Sequence, residues 1–82
     1  MKRVEVKLPP LGDEANEEAT VNVFFREVGE EIREGEDLVE MVTEKATFTV
    51  PSPVSGTLAK IEVGEDDRVR VGEVLAVVEV PE

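Results

Sequence analysis

Eighty-two residues are enough for one small domain and leave no room for a second core. Twenty acidic residues against nine basic give a net charge of −11, which excludes a phosphate-binding face and disfavours anionic membranes, so no nucleic-acid and no membrane partner is expected. The chain has no cysteine and no histidine, and its serines are Ser52 and Ser55. Disulfides and thiolate sites are therefore excluded, and an independent nucleophilic site is not expected, because neither serine has a histidine to activate it. The longest apolar run, residues 74–78, is far shorter than a membrane span, and no apolar signal segment follows Met1-Lys2-Arg3. A soluble, cytoplasmic chain is expected, with charged partners that are basic where they touch it.

Residues 4–8 alternate apolar and polar and predict a half-buried strand, which Pro9-Pro10 ends because proline cannot donate to a ladder. Residues 11–18 read as an acidic loop. Residues 19–26, rich in Val, Thr and Phe, predict a second strand with Val21, Val23 and Phe25 on one face and Phe24 on the other. Gly29 and Gly35 mark turns around the short segment 31–33, and residues 38–43 form a further strand. Residues 46–50 resume as extended chain, and Pro51-Ser52-Pro53 breaks it. Gly56 is read as allowing a sharp bend. Residues 57–63 form the next strand, Gly64 and Gly72 bracket a short one at Arg68-Val69-Arg70, and residues 74–80 close the chain. No stretch holds a helical period, so the predicted class is all-β, with many short strands at close spacing.

A shift of 37 positions superposes the halves of the sequence. Ala19-Thr20-Val21 falls on Gly56-Thr57-Leu58, Ile32 on Val69, Gly35 on Gly72, Leu38 on Leu75 and Met41 on Val78. Small turn residues meet small ones and large apolar residues meet large ones. Two such units, about 4–43 and 46–80, predict a pseudo-twofold domain of two packed sheets. The same shift carries Lys45 onto Glu82, the last residue. The turn joining the halves therefore has the chain terminus as its counterpart, which places Lys45 at one end of the domain and the termini at the other.

A lone lysine at a turn is ordinarily just solvated. Here it is one of four, with Lys2, Lys7 and Lys60, and it sits at the junction of the repeat. The stretch Glu40-Met41-Val42-Thr43-Glu44-Lys45-Ala46, followed by Val50-Pro51-Ser52-Pro53-Val54-Ser55-Gly56-Thr57-Leu58, resembles the lipoyl domain of 2-oxo acid dehydrogenase acyltransferases, within the biotinyl/lipoyl-attachment family. That family reads Thr-Asp-Lys-Ala and then Val-Pro-Ser-Pro. Glu44 stands here in place of its Asp, and Val42 where it often has Glu. Leu8-Pro9-Pro10-Leu11-Gly12, the turn from Val28-Gly29-Glu30 to Leu38, and the stretch from Val63 to Leu75 extend the resemblance over nearly the whole chain.

The resemblance implies a flattened β-barrel, a barrel-sandwich hybrid of two four-stranded antiparallel sheets. It implies that Lys45 is amide-linked to lipoate at a tight hairpin, and that Glu40, Thr43, Glu44 and Ala46 mark the turn for recognition. The partners it implies are a lipoate-protein ligase or lipoyl transferase, a thiamin-dependent 2-oxo acid dehydrogenase, an acyltransferase core and dihydrolipoamide dehydrogenase. The domain itself would catalyse nothing and would act as a swinging-arm carrier.

Other readings stand beside this one. A biotin carrier has the same fold, but its turn reads Ala-Met-Lys-Met, whereas Lys45 lies between Glu44 and Ala46. The lipoyl carrier of glycine cleavage is longer. An unmodified barrel-sandwich spacer or adaptor is the third reading. The acidic pairs at 17–18, 30–31 and 66–67 lack the ligand spacing of a calcium loop and read as solvated turns. Pro51 and Pro53 read as strand terminators, and Phe24, Phe25 and Phe48 as packing.

Overall fold

The alternating segments fold into eight strands in the computed structural model, which describes residues 2–10 and 18–81. They are β1 (Lys2–Lys7), β2 (Glu18–Phe24), β3 (Glu31–Ile32), β4 (Asp37–Val42), β5 (Thr47–Pro51), β6 (Gly56–Ile61), β7 (Arg68–Arg70) and β8 (Val74–Val80). The acidic loop expected at 11–18 lies outside the described residues apart from Glu18, which opens β2. One sheet has the order β1-β8-β6-β3 and the other β5-β4-β2-β7, with antiparallel pairing throughout. This is the expected flattened barrel of two four-stranded sheets. Leu38, Met41, Leu58, Leu75 and Val78 meet between them with no exposure, and partly buried Phe24 and Phe48 pack against that cluster.

The alternation expected along the second strand breaks at one point. Thr20 pairs with Val42 and Val21 with Met41, but Val23 pairs with Glu40 and Phe24 with Val39. Asn22 is the extra residue of a β-bulge, which shifts every later side chain to the opposite face. Phe24 therefore packs against the core, and Phe25, expected to share a face with Val21, is 41% exposed.

The pairings of one sheet recur in the other. Thr20↔Val42 and Val21↔Met41 answer to Thr57↔Glu79 and Leu58↔Val78, and the bulge at 21–23 answers to one at 58–60. The offset is 37 for these strands but 44 for the outer pair, where Val4↔Val78 answers to Phe48↔Met41. The difference of seven is extra chain between Leu8 and Ala19, compared with the stretch from Ser52 to Gly56.

The turns repeat at the level of single atoms. The Gly29 N–H donates to the Leu58 carbonyl and the Asp66 N–H to the Val21 carbonyl. A carboxylate closes each turn: Glu30 accepts from the Glu27 N–H at 2.7 Å, and Asp67 from the Gly64 N–H at 2.8 Å. The acidic pairs read as merely solvated thus include two residues that hold turns by charge-assisted bonds. The left-handed position of the second turn is Asp66, with φ 71°, where the first has Gly29 at 97°. Gly64, which the sequence suggests as the turn residue, opens the turn without adopting that conformation. Aspartate is among the few side chains that visit this region at modest cost.

Gly56 also has a different role from the expected one. It is the first residue of β6, and a Cβ added there would sit 2.3 Å from the Glu79 carbonyl oxygen. The glycine lets two backbones approach, and it does not supply a bend. The bend before it is pinned by Ser52, which is buried. Its hydroxyl donates to the Val54 carbonyl at 2.6 Å, and its backbone bonds Glu36 and Gly35.

Candidate functional site

β4 and β5 are joined by residues 43–46, and the hairpin register ends at Val42↔Thr47. Two-residue hairpin loops favour mirror-image turns with positive φ, which usually call for Asn-Gly or Gly. Glu44 and Lys45 supply neither. Among the described residues the positive-φ position outside glycine is Asp66, so the tip keeps ordinary backbone and needs another means of closure.

Thr43 provides it. Its N–H donates to the Ala46 carbonyl at 2.8 Å. Its hydroxyl accepts from the Ala46 N–H at 3.1 Å and the Lys45 N–H at 3.3 Å, and donates to the Ala46 carbonyl at 3.2 Å. This local side-chain-to-backbone bonding is typical of Ser and Thr in turns. Thr43 is half-buried at the end of the sheet, whereas Glu44, Lys45 and Ala46 are exposed.

Glu40 belongs to the sheet and not to the turn. It pairs with Thr49, two residue pairs below Val42↔Thr47, and its carboxylate accepts from the Asn22 side chain on β2. Asn22 has no signal in the sequence beyond being polar within a strand. It faces Glu40 only because it is the bulged residue. Thr43, Glu44, Lys45 and Ala46 are thus gathered at one tip, while Glu40 stands apart on the sheet face.

The tip and the Lys2↔Val80 pair of β1 and β8 are at opposite ends of the domain. β2 leaves the tip end at Thr20↔Val42, turns at 27–30 and enters the other sheet at Glu31↔Thr57. Thr57 in turn pairs with Glu79, next to Lys2↔Val80. Two shallow grooves lie toward that far end, one lined by Ile32, Gly56, Thr57 and Pro81, the other by Phe25, Gly35 and Asp37. Lys45 itself is exposed on the turn between β4 and β5. An exposed primary amine on a braced turn can be reached by an acylating enzyme, which is the chemical requirement for a covalently attached acid; the residues present fit such a group.

Fold and site together define a barrel-sandwich domain that offers a lysine on a hairpin, the class of small carrier modules. The model of the biotin-requiring enzyme family, which takes in biotinyl and lipoyl domains, matches residues 4–78, and the chain belongs to that family. It is 44% identical over 75 residues to the dihydrolipoyllysine-residue succinyltransferase component of the 2-oxoglutarate dehydrogenase complex of Bartonella vinsonii subsp. berkhoffii, a match covering 92% of this chain and 18% of that protein. It is 39% identical over 72 residues to the dihydrolipoyllysine-residue acetyltransferase component of the pyruvate dehydrogenase complex of Corynebacterium glutamicum, covering 88% of this chain and 10% of that protein. The chain thus spans less than a fifth of the length of either relative.

Among solved structures, the lipoyl domain of the Azotobacter vinelandii 2-oxoglutarate dehydrogenase complex superposes with a TM-score of 0.75 at 25% identity, covering 96% of this chain and all of that one. Urea carboxylase of Kluyveromyces lactis superposes at 0.80 with 18% identity, covering 96% of this chain and 6% of that one; this second likeness is one of fold alone. The sequence relatives place the chain on the lipoyl side of the family.

Proposed function

We propose that this chain is a lipoyl carrier domain in which the Lys45 Nζ is amide-linked to lipoate. The observation that carries the proposal is the exposed lysine on a turn braced by Thr43. The domain serves a 2-oxo acid dehydrogenase complex, by analogy with the relatives' acyltransferase components. When attached, lipoate supplies a dithiolane that takes up an acyl group with reduction and is later reoxidised.

The chain's own residues do the presenting. β4 and β5 anchor the tip to the core and leave Lys45 exposed at its end. Tethering replaces bimolecular encounters with high effective concentration at each active site the arm can reach. The proposed partners are a lipoate-protein ligase or lipoyl transferase, a thiamin-dependent 2-oxo acid dehydrogenase, an acyltransferase core and dihydrolipoamide dehydrogenase. Exposed Glu44 and the net charge of −11 favour basic partner surfaces and act on association rate more than on affinity.

The test is incubation with lipoate-protein ligase, lipoate and ATP, and separately with biotin ligase, biotin and ATP, followed by intact mass and peptide mapping. One lipoyl amide on Lys45 is the expected result. Biotin on Lys45 would instead make it a biotin carrier, and no modification by either would leave an adaptor of the same fold.

A further inference from the structure

We propose that Thr43 is a positioning residue that fixes the tip for the modifying enzyme and is not itself read by it. This rests on the lipoyl-carrier reading for its enzymatic consequence, but not for its structural one. A threonine hydroxyl has one proton to donate and two lone pairs with which to accept. Here all three are spent inside the tip: on the Lys45 N–H at 3.3 Å, the Ala46 N–H at 3.1 Å and the Ala46 carbonyl at 3.2 Å. No hydrogen-bonding capacity is left for a ligase to use without first opening the turn.

The consequence runs through the backbone of Lys45. With ordinary φ at Glu44 and Lys45, the strand pair has no mirror-image turn to close it. The hydroxyl takes the place of that geometry. Without it, the Lys45 and Ala46 amides turn to water and the tip samples other conformers. A ligase that binds one tip conformer then sees an affinity reduced by the fraction of tips in that conformer. Docking should weaken, while the chemistry on the amine, once docked, is unchanged.

Thr43→Val removes the hydroxyl and keeps the β-branched shape, and Thr43→Ser keeps the hydroxyl. Amide hydrogen exchange followed by NMR reads tip order in the unmodified domain. Steady-state lipoylation with excess ATP reads KM and kcat, and guanidinium unfolding checks that the barrel stays folded. In Thr43→Val, exchange at Lys45 and Ala46 should quicken roughly fivefold, the factor set by one net hydrogen bond of ordinary strength. KM for the domain should rise, by at most that factor, with kcat within about twofold of the parent, and Thr43→Ser should restore both.

Slower lipoylation of Thr43→Val with unchanged exchange would mean that the ligase reads the hydroxyl directly, and would overturn the proposal. So would faster exchange with unaltered KM, or a Thr43→Ser variant that behaves like Thr43→Val. If the parent domain accepts no lipoate at all, the lipoyl reading fails, while the exchange comparison still decides whether Thr43 orders the tip.

Discussion

Replacing Gly56 with alanine tests whether two backbones really meet at that point. The added Cβ would lie 2.3 Å from the Glu79 carbonyl oxygen, 3.0 Å from its carbon and 3.1 Å from Val78 Cγ1. Two of these three atoms belong to the main chain of β8 and cannot rotate away. Relief requires β6 and β8 to part, which strains the Thr57↔Glu79 and Leu58↔Val78 pairings beside the core. Overpacking of this kind costs about 3 kcal/mol when backbone must move. An 82-residue domain has about 4–12 kcal/mol of stability in total, so the loss is a large share.

At about 4–8 °C per kcal/mol for a domain this small, the melting temperature should fall by roughly 12–24 °C. Guanidinium unfolding with circular dichroism measures the change, and an unaltered m-value shows that the comparison is between similar states. Gly35 serves as the control, because it has φ 88° and nothing within 4 Å of an added Cβ. Gly35→Ala should cost about 1–2 kcal/mol for left-handed backbone alone, and Gly35→Asn less. At Gly56, Asn should be no better than Ala. A Gly56→Ala domain within about 0.5 kcal/mol of the parent, the range of an ordinary surface substitution, would refute the close-approach account. Rescue of that site by Asn would restore the bend.

Three further outcomes follow from the same structure. Lys45→Ala should abolish lipoylation as read by intact mass while shifting stability by no more than about 0.5 kcal/mol, because the side chain is exposed; modification surviving at Lys2, Lys7 or Lys60 would contradict the site. Leu58→Ala empties a fully buried position between the sheets and should cost about 2–5 kcal/mol by guanidinium unfolding. Ser52→Ala deletes a buried hydroxyl bonded to the Val54 carbonyl and should cost about 1–2 kcal/mol; a neutral result would mean that water replaces the bond.

Much of the fold is legible in the residues because the governing rules are local. Alternation along 68–70 and the continuous apolar run at 74–78 mark the strands found there, β7 (Arg68–Arg70) and β8 (Val74–Val80). Val42 and Thr43 are harder to separate. Both are β-branched and suit a strand, yet the register ends at Val42 and Thr43 enters the turn. The candidate site is legible as a motif, Thr43-Glu44-Lys45-Ala46, but the division of labour within it is not. A string of letters does not show that the Thr43 hydroxyl turns inward onto Ala46 while Glu40 is occupied by Asn22 from another strand.

The sequence by itself determined an all-β class, a unit repeated at 37 positions and an acidic domain with a lysine at its junction. These depend on side-chain period, turn-forming residues and charge, each readable within a few neighbours. Only the tertiary structure decided the bulge at Asn22 that turns Phe24 inward and Phe25 outward, the left-handed Asp66 that answers to Gly29, and the crowding that requires glycine at position 56. Each of these is set by a partner far along the chain: Glu40 for the bulge, Val21 for the turn and Glu79 for the glycine. Contacts between distant segments exist only once the sheets have paired, and local patterning carries no record of them.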